Sequence, residues 1–199
     1  DIDGDQDLDL YVANYRPTTV RDRPTTQFRV QQVDGRPVVI AVDGRSVTAP
    51  DLTNRFALSP SGEVIEFSEP SDLFLNDGQG KFSRASFTDG RFLDEEGKPL
   101  REVPRDWSLS VRFHDFSGDG APDLYVCNDL FSPDRIWIND GRGNFRAAPR
   151  LAVRHTSSFS MGVDFGDLNR DGYVDFYVVD MVSRDLRNRS RSVGICASA

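Results

Sequence analysis

The sequence has little of what would assign it to several common classes of protein. It contains only two cysteines, Cys127 and Cys196, and a single possible pair cannot establish an oxidising compartment. Because free cysteines are commonly buried and Cys127 lies in a predicted strand, we favour a buried free thiol there over a disulfide. The longest aliphatic run, Val38 to Val42, is far too short to cross a bilayer, so we predict no membrane span.

Basic stripes and amphipathic helices are missing as well. The sequence has no basic stripe and no aromatic-rich basic motif of the kind that binds nucleic acid. We therefore predict that nucleic acid is not a partner. The arginine-rich stretch from Arg184 to Arg191 is short and is interpreted as a solvated loop. No convincing amphipathic helix interrupts the strand-like segments, which argues against an α/β fold.

The sequence also lacks a catalytic constellation. Its two histidines, His114 and His155, are isolated and have no partnered nucleophile, so a structural or surface role is favoured for each. Ser157, Ser158 and Ser160 are not part of a Gly-x-Ser-x-Gly elbow, which leaves hydrolase chemistry without a sequence anchor. We therefore predict no catalytic and no cofactor-binding residues, and a protein that is not an enzyme.

What the sequence does have is one spacing of oxygen-bearing side chains that occurs three times. The first loop runs from Asp1 to Asp9, the second from Asp115 to Asp123 and the third from Asp167 to Asp175. Each carries oxygen side chains at positions 1, 3, 5 and 9 and a glycine at position 4 or 6. So many carboxylates within nine residues repel one another unless a cation lies among them, and Ca²⁺ accepts six to eight oxygens at flexible geometry. The pattern predicts up to three calcium sites.

The net charge agrees with metal loops. It is −8, from 24 basic and 32 acidic residues, and eleven of the acids lie in the three loops. Three Ca²⁺ ions would bring this charge to −2, so the acidity is largely a property of the loops. An ordinary acidic turn would explain one copy, but three copies in the same strand context favour metal binding. An EF-hand does not fit, because its Glu at position 12 is replaced by Val12, Val126 or Val178 and strands follow the loops.

The loops are embedded in a repeat. The second and third begin 52 residues apart, and each follows an alternating segment, 107–113 or 159–165, that predicts a half-buried strand. After the second loop come two strands, the glycine turn 139–143 and a last strand, and residues 73–82 repeat this hairpin. Four antiparallel strands with one loop match a propeller blade. We predict an all-β fold of such blades that forms a partial β-propeller.

The predicted blade units are unequal. We place them at about residues 1–88, 107–150 and 158–199, with a β-rich insertion at about 16–70 inside the first. The insertion contains two predicted hairpins, one that turns at residues 34–35 and one that turns at 59–62. The third unit has no Asn-Asp-Gly-x-Gly turn, so it either carries an insertion of its own or stops before its hairpin.

These loops and turns resemble the FG-GAP/VCBS repeats of integrin α-subunit propellers. A closer resemblance, carried by residues 160–165, 167–172 and 179–185, is to the secreted ASPIC/UnbV group of cartilage acidic protein-like proteins. The likeness covers about residues 1–15, 72–88 and 107–186. It implies a seven-bladed propeller with Ca²⁺ in its blade loops that acts outside the cytoplasm. At about 50 residues per blade we expect this chain to supply some three to four blades of a larger ring, with the remaining blades in a longer chain.

The resemblance also implies the ligands of each calcium ion, namely the side chains at positions 1, 3, 5 and 9 and the backbone carbonyl at position 7. These are Asp1, Asp3, Asp5, Asp9 and the carbonyl of Asp7 in the first loop; Asp115, Ser117, Asp119, Asp123 and the carbonyl of Ala121 in the second; and Asp167, Asn169, Asp171, Asp175 and the carbonyl of Tyr173 in the third. Ser117 is a neutral hydroxyl where Asp or Asn is usual, so we expect the second site to be the weakest. The first loop begins at the chain terminus, where fraying would weaken it.

These features lead to one functional expectation and one alternative. We expect a calcium-binding, non-catalytic propeller module that is secreted, extracellular or periplasmic and binds an extracellular protein or glycan. The alternative is an enzyme, or the accessory domain of one, that acts on an extracellular polysaccharide, because propellers also host catalytic sites. The carboxylates of such an enzyme would come from outside the loops, from Glu63, Glu66, Glu69, Glu95, Glu96 or Glu102.

Overall fold

The computed structural model describes residues 1–129, 132–149, 151–153, 156–157 and 159–181. His155, Ser158, Cys196 and the arginine-rich stretch 184–191 lie outside these ranges. The predictions made for those residues fall outside the described part of the chain, and so does the alternative of a disulfide between the two cysteines.

The described residues form fifteen strands and one short 3-10 helix, Val20–Asp22. The strands are β1 (Leu10–Val12), β2 (Phe28–Val33), β3 (Arg36–Val42), β4 (Arg45–Ser46), β5 (Phe56–Leu58), β6 (Val64–Glu66), β7 (Asp72–Asn76), β8 (Phe82–Ala85), β9 (Phe92–Leu93), β10 (Trp107–His114), β11 (Asp123–Asp129), β12 (Arg135–Asn139), β13 (Phe145–Ala147), β14 (Ser160–Gly166) and β15 (Asp175–Asp180). They are distributed over five small sheets.

The second loop lies in the largest sheet, which we call the second sheet. Its strand order is β10-β11-β12-β13-β9, and β10 to β13 form an antiparallel meander with the loop between β10 and β11. This arrangement confirms the four-strand unit predicted from the sequence. The fifth strand, β9, was not predicted; it pairs in parallel with β13, with Phe92 opposite Phe145.

The first and third loops lead into two smaller sheets. The first sheet has the order β1-β7-β8 and begins directly after the first loop, whereas the third sheet consists of β14 and β15 with the third loop between them. Both are antiparallel. All three loops therefore have the same place in their sheets, immediately before β1, β11 or β15.

Strand β11 is buried on both faces, because the second sheet lies between the other two. Leu124 and Val126 belong to a core cluster that includes Leu73 of the first sheet. Tyr125 and Cys127 belong to a separate cluster with residues of the third sheet. The members of the first cluster are Ile2, Leu73, Phe87, Phe92, Leu124, Val126, Trp137 and Phe145, and the buried members of the second are Tyr125, Cys127 and Val163. Since side chains alternate between the faces of a strand, β11 supplies both clusters at once.

The thiol of Cys127 is fully buried, as the sequence predicted. Burial, together with the nearby Asp134 carboxylate, raises the pKa of this thiol to about 12. The neutral thiol is therefore the stable form, and a buried cysteine of this kind is chemically inert.

Tyr15–Glu69 form a second compact unit with its own core. It contains a three-stranded sheet of order β2-β3-β4 and the hairpin β5-β6, so both predicted hairpins are present. The first turn has Asp34 at φ 50° and Gly35 at φ 75°, the left-handed pair that a two-residue hairpin loop requires. The buried core residues are Val39, Val42 and Leu52.

The described part of the chain is all-β. Its sheets are antiparallel except for the β9–β13 pair, and within the described residues they do not close into a barrel. Stacked sheets with one loop each are consistent with a partial β-propeller. No helix in this part of the chain is long and apolar enough to span a membrane.

Candidate metal-binding loops

The three loops share one backbone conformation. In each, the residues at positions 4 and 6 have positive φ: Gly4 (82°) and Gln6 (75°), Gly118 (81°) and Gly120 (91°), and Arg170 (65°) and Gly172 (87°). The sequence pattern required a glycine at only one of the two positions, whereas the structure uses the left-handed region at both. Gln6 and Arg170 therefore occupy a conformation that costs a side chain-bearing residue about 1–2 kcal/mol.

The aspartate at position 1 organises the turn that follows it. Asp1 accepts hydrogen bonds from the backbone N–H groups of Gly4 (2.7 Å) and Gln6 (3.2 Å). Asp115 accepts them from Gly118 (2.7 Å) and Gly120 (2.9 Å) in the same way. In the third loop, Asp167 accepts them from Asp171 and Gly172, each at 3.0 Å. The carboxylate thus holds the loop closed around itself.

The aspartate at position 5 caps the residue at position 7 in all three loops. The acceptors are Asp5, Asp119 and Asp171, which receive the N–H groups of Asp7 (3.1 Å), Ala121 (2.9 Å) and Tyr173 (2.9 Å). Because the bond fixes the peptide before position 7, it helps define the backbone of the residue whose carbonyl was predicted as a ligand. The identical arrangement in three separate loops shows that this geometry is a property of the repeated spacing.

The aspartate at position 9 joins each loop to the rest of its sheet. Asp123 is fully buried and accepts N–H groups from Phe116 (3.2 Å), Ser117 (2.8 Å) and Asn139 (2.8 Å). Asp9 makes the corresponding bonds with Ile2 (2.9 Å) and Asn76 (3.1 Å), and Asp175 with Leu168 (3.0 Å) and Asn169 (3.3 Å). The hairpin asparagines Asn76 and Asn139 are therefore part of the loop structure. From the sequence they were predicted only as turn residues.

The first loop also contacts the turn of the second sheet. The side-chain amide of Asn139 donates to the carbonyl of Ile2 at 2.8 Å. Gly143, at φ 73°, lies so close that an added Cβ would be 3.1 Å from the Cβ of Asp3. Glycine is needed at this position both for its backbone conformation and for the close approach.

Among the described residues, the first loop contains the only group of three or more metal-ligating side chains whose donor atoms lie within 4.8 Å of one another: Asp1, Asp3 and Asp9. Within the described ranges, Asp3 Oδ1 and Asp7 Oδ1 are buried and have no hydrogen-bond partner. Partial burial, and then the neighbouring charges of Asp5 and Asp9, raise the pKa of both Asp3 and Asp7. Buried carboxylate oxygens without donors, beside further carboxylates, are chemically suited to a hard cation.

The other two loops bring fewer charged ligands together. Asp115, Asp119 and Asp123 do not form a comparable group in the described structure, and neither do Asp167, Asp171 and Asp175. In the second loop Ser117 is exposed, and in the third the side-chain amide of Asn169 donates to Asp171 Oδ2 at 3.0 Å. The ligand sets predicted for all three loops remain predictions, and the arrangement of carboxylates supports the first most directly.

The acids proposed for the alternative enzyme are scattered. Glu66 is buried and paired with Arg55, and Glu69 is paired with Arg16. Glu95 is partly buried, and the remaining three, Glu63, Glu96 and Glu102, are exposed. His114 stacks on Phe165 with ring centroids 5.0 Å apart, which agrees with the structural role favoured for it.

Comparison with known families adds one finding. Residues 115–178 match the model of the FG-GAP-like repeat. The match begins at the second loop, ends after the third and covers about a third of the chain. It supports an FG-GAP repeat in this segment, and such a repeat indicates an integrin-like β-propeller module. Comparisons with curated proteins and with solved structures found no match. The closer resemblance to the ASPIC/UnbV group stays a prediction.

Proposed function

We propose that this chain is a calcium-binding, non-catalytic propeller module that acts outside the cytoplasm by binding a protein or glycan partner. The observation that carries the proposal is the first loop. There Asp1, Asp3 and Asp9 place carboxylate oxygens within 4.8 Å of one another, and Asp3 Oδ1 is buried with no donor from the part of the chain that the structure describes. A bound Ca²⁺ would supply the positive charge that these carboxylates lack. The other two loops share its backbone conformation, which supports up to three sites.

Calcium in these loops would have a structural effect rather than a chemical one. The aspartate at position 9 is a predicted ligand and also binds the N–H of the hairpin asparagine, as in the Asp9–Asn76 and Asp123–Asn139 pairs. A metal ion at the loop would therefore stabilise both the loop and the hairpin beside it. A structural metal of this kind fits a scaffold that presents its surfaces to a partner, which is the role that we propose.

A thermal melt tests calcium binding. Because the folded loops would bind Ca²⁺ and the unfolded chain would not, millimolar Ca²⁺ should raise the melting temperature above its value in EDTA. Asp3→Asn should reduce the shift, whereas Asp34→Asn, in an exposed hairpin turn of the other unit, should leave it unchanged. A melting temperature that is the same in EDTA and in Ca²⁺ would remove the calcium proposal.

An enzyme acting on extracellular polysaccharide is the second candidate. The observation in its favour is a cavity of about 510 Å³ lined by Asp134 and Glu95. Burial raises the pKa of Asp134, as in the general acid of a glycosidase. However, Asp134 accepts hydrogen bonds from Tyr125, Ser160 and the backbone of Asn128, a pattern typical of a structural carboxylate. Binding to a glycan array without product release would support the first candidate, and product release that Asp134→Asn abolishes would support the second.

A further inference from the structure

A cavity of about 390 Å³ lies entirely within the Tyr15–Glu69 unit and contains no part of the metal loops. Its size is within the range of small-molecule binding sites. The lining residues are Thr18, Thr19, Val20, Arg23, Thr26, Val42, Asp43, Arg45, Asp51, Leu52, Arg55 and Phe56. They combine apolar side chains, threonine hydroxyls and charges of both signs.

Part of the lining is apolar and well fixed. Val42 and Leu52 are buried in the core of the unit, and Phe56 packs edge-to-face against Phe28 with ring centroids 5.3 Å apart. The guanidinium of Arg55 lies 5.2 Å from the centroid of the Phe56 ring. The cavity therefore has a rigid hydrophobic side next to a cation.

Two of the three arginines are held by carboxylates. Arg45 makes a two-pronged pair with Asp51 at 2.9 and 2.6 Å. Arg55 donates from Nε to Glu66 at 2.7 Å and from Nη2 to the carbonyl of Thr18 at 3.1 Å. These bonds hold both guanidinium groups in place. They do not use Arg45 Nε or Arg55 Nη1.

Arg23 is different, because its side chain has no hydrogen-bond or ion-pair partner in the described part of the chain, and it is exposed at the cavity. In the Tyr15–Glu69 unit seven arginines balance seven acidic residues, so its formal charge is zero and the whole net charge of −8 falls on the rest of the chain. An anion would meet less repulsion here than at the acidic loops.

We infer that this cavity binds a uronate, a sugar unit that carries a carboxylate, as part of an acidic glycan. Arg23 receives the carboxylate through a charge-assisted hydrogen bond. Asp43 and Thr18 exchange hydrogen bonds with the sugar hydroxyls, and the apolar face of the sugar ring packs against Phe56 and Leu52. The inference deepens the proposed function and rests on its glycan-binding part.

Other ligand classes use this lining less completely. An inorganic anion such as phosphate would leave Phe56 and Leu52 without contacts, because it has no apolar face. A neutral sugar would use the hydroxyl groups and the apolar side but would leave the charge of Arg23 unmatched. A uronate would contact the charged, the hydroxyl-bearing and the apolar residues of the lining.

Isothermal titration of the full chain in EDTA tests the inference, with trigalacturonate as the probe and maltotriose and inorganic phosphate as comparisons. We expect trigalacturonate to bind and Arg23→Gln to weaken it by about tenfold, the loss of one charge-assisted hydrogen bond. Arg36→Gln, in the turn region of the β2–β3 hairpin and outside the cavity, is the matched control and should bind like the wild type. The Arg23 side chain is exposed and makes no hydrogen bond or ion pair to any residue that the structure describes, so its replacement should not affect folding.

The outcomes separate this inference from the calcium proposal. Equal affinity for maltotriose and trigalacturonate, or equal binding by the Arg23→Gln and Arg36→Gln variants, would overturn it. Binding that occurs only when Ca²⁺ is present would also overturn it, because a site built from Arg23 and the other lining residues needs no metal ion. The thermal melt in Ca²⁺ and EDTA decides the calcium proposal independently of all three results.

Discussion

At the scale of single residues, the aspartate at position 9 has a role beyond that of a predicted ligand. Asp123 is fully buried and its two oxygens bind three backbone N–H groups, one of them from the hairpin asparagine Asn139. Asp119, in the same loop, is exposed and binds one N–H group. The two carboxylates should therefore differ in their effect on stability even without metal.

We predict that Asp123→Ala lowers the free energy of unfolding by about 3–5 kcal/mol in EDTA, because three N–H groups lose a charged acceptor and become unsatisfied. Asp119→Ala should cost about 1 kcal/mol under the same conditions. Urea denaturation of the two variants and the wild type gives the comparison. Equal losses in EDTA would contradict the larger, metal-independent contribution that the three N–H groups assign to Asp123.

Arg170 provides a second prediction at this scale. It has φ 65° at a loop position where the other two loops have glycine. Arg170→Gly should raise the free energy of unfolding by up to about 1 kcal/mol, because relief of the left-handed conformation outweighs the entropy that glycine adds to the unfolded chain. Gly172→Ala, at φ 87°, should change it in the opposite direction by a similar amount. Two changes of the same sign in urea denaturation would contradict the shared loop conformation.

At the scale of strands and sheets, the stability of the described fold depends on contacts between the faces of neighbouring sheets. In the third sheet, Phe165 and Phe176 are paired across β14 and β15 and their rings lie near Tyr125 of the second sheet. Asp164 and Tyr177 are paired on the opposite face, and Tyr177 is 64% exposed. One face of this small sheet therefore packs partly against the second sheet, with Phe176 still 40% exposed, and the other face is more open.

Phe165→Ala should lower the free energy of unfolding by about 3 kcal/mol, because it removes an aromatic ring from the contact between the second and third sheets. Tyr177→Ala, in the same sheet but on the open face, should change it by less than about 0.5 kcal/mol. Thermal or urea denaturation measures both. Similar effects of the two substitutions would mean that the sheets do not pack as described.

At the scale of the whole molecule, the chain divides into two compact units with separate cores, and the three candidate metal-binding loops all belong to one of them. The addition of Ca²⁺ in place of EDTA should therefore change hydrogen exchange in one unit and not in the other. Calcium should slow amide exchange in the three loops and in the two hairpin turns that follow Asn76 and Asn139. Strands β2 to β6 should exchange at the same rate in both conditions, and slower exchange in those strands would contradict the assignment of calcium to the loops.

The sequence by itself determined the local features of this protein, because each depends on residues close together in the chain. Glycine and aspartate spacing predicted the loops, alternating hydrophobic residues predicted β10 and β14, and the Asp34–Gly35 dipeptide predicted a tight hairpin turn. The four-strand order of the second sheet followed from short connections between successive strands. The ligand sets are what the family resemblance implies for these loops, and metal measurements will test them.

The tertiary structure alone decided which distant groups meet. The pairing of Phe92 with Phe145, the contact of Asn139 with Ile2 and the arginine-lined cavity of the smaller unit join residues that no periodic pattern relates. The buried oxygen of Asp3 is a further example, since its exposure depends on how the first loop lies against the second sheet. Local conformation follows from neighbouring residues, whereas burial and long-range pairing follow from the packing of the whole unit, and the candidate sites depend on both.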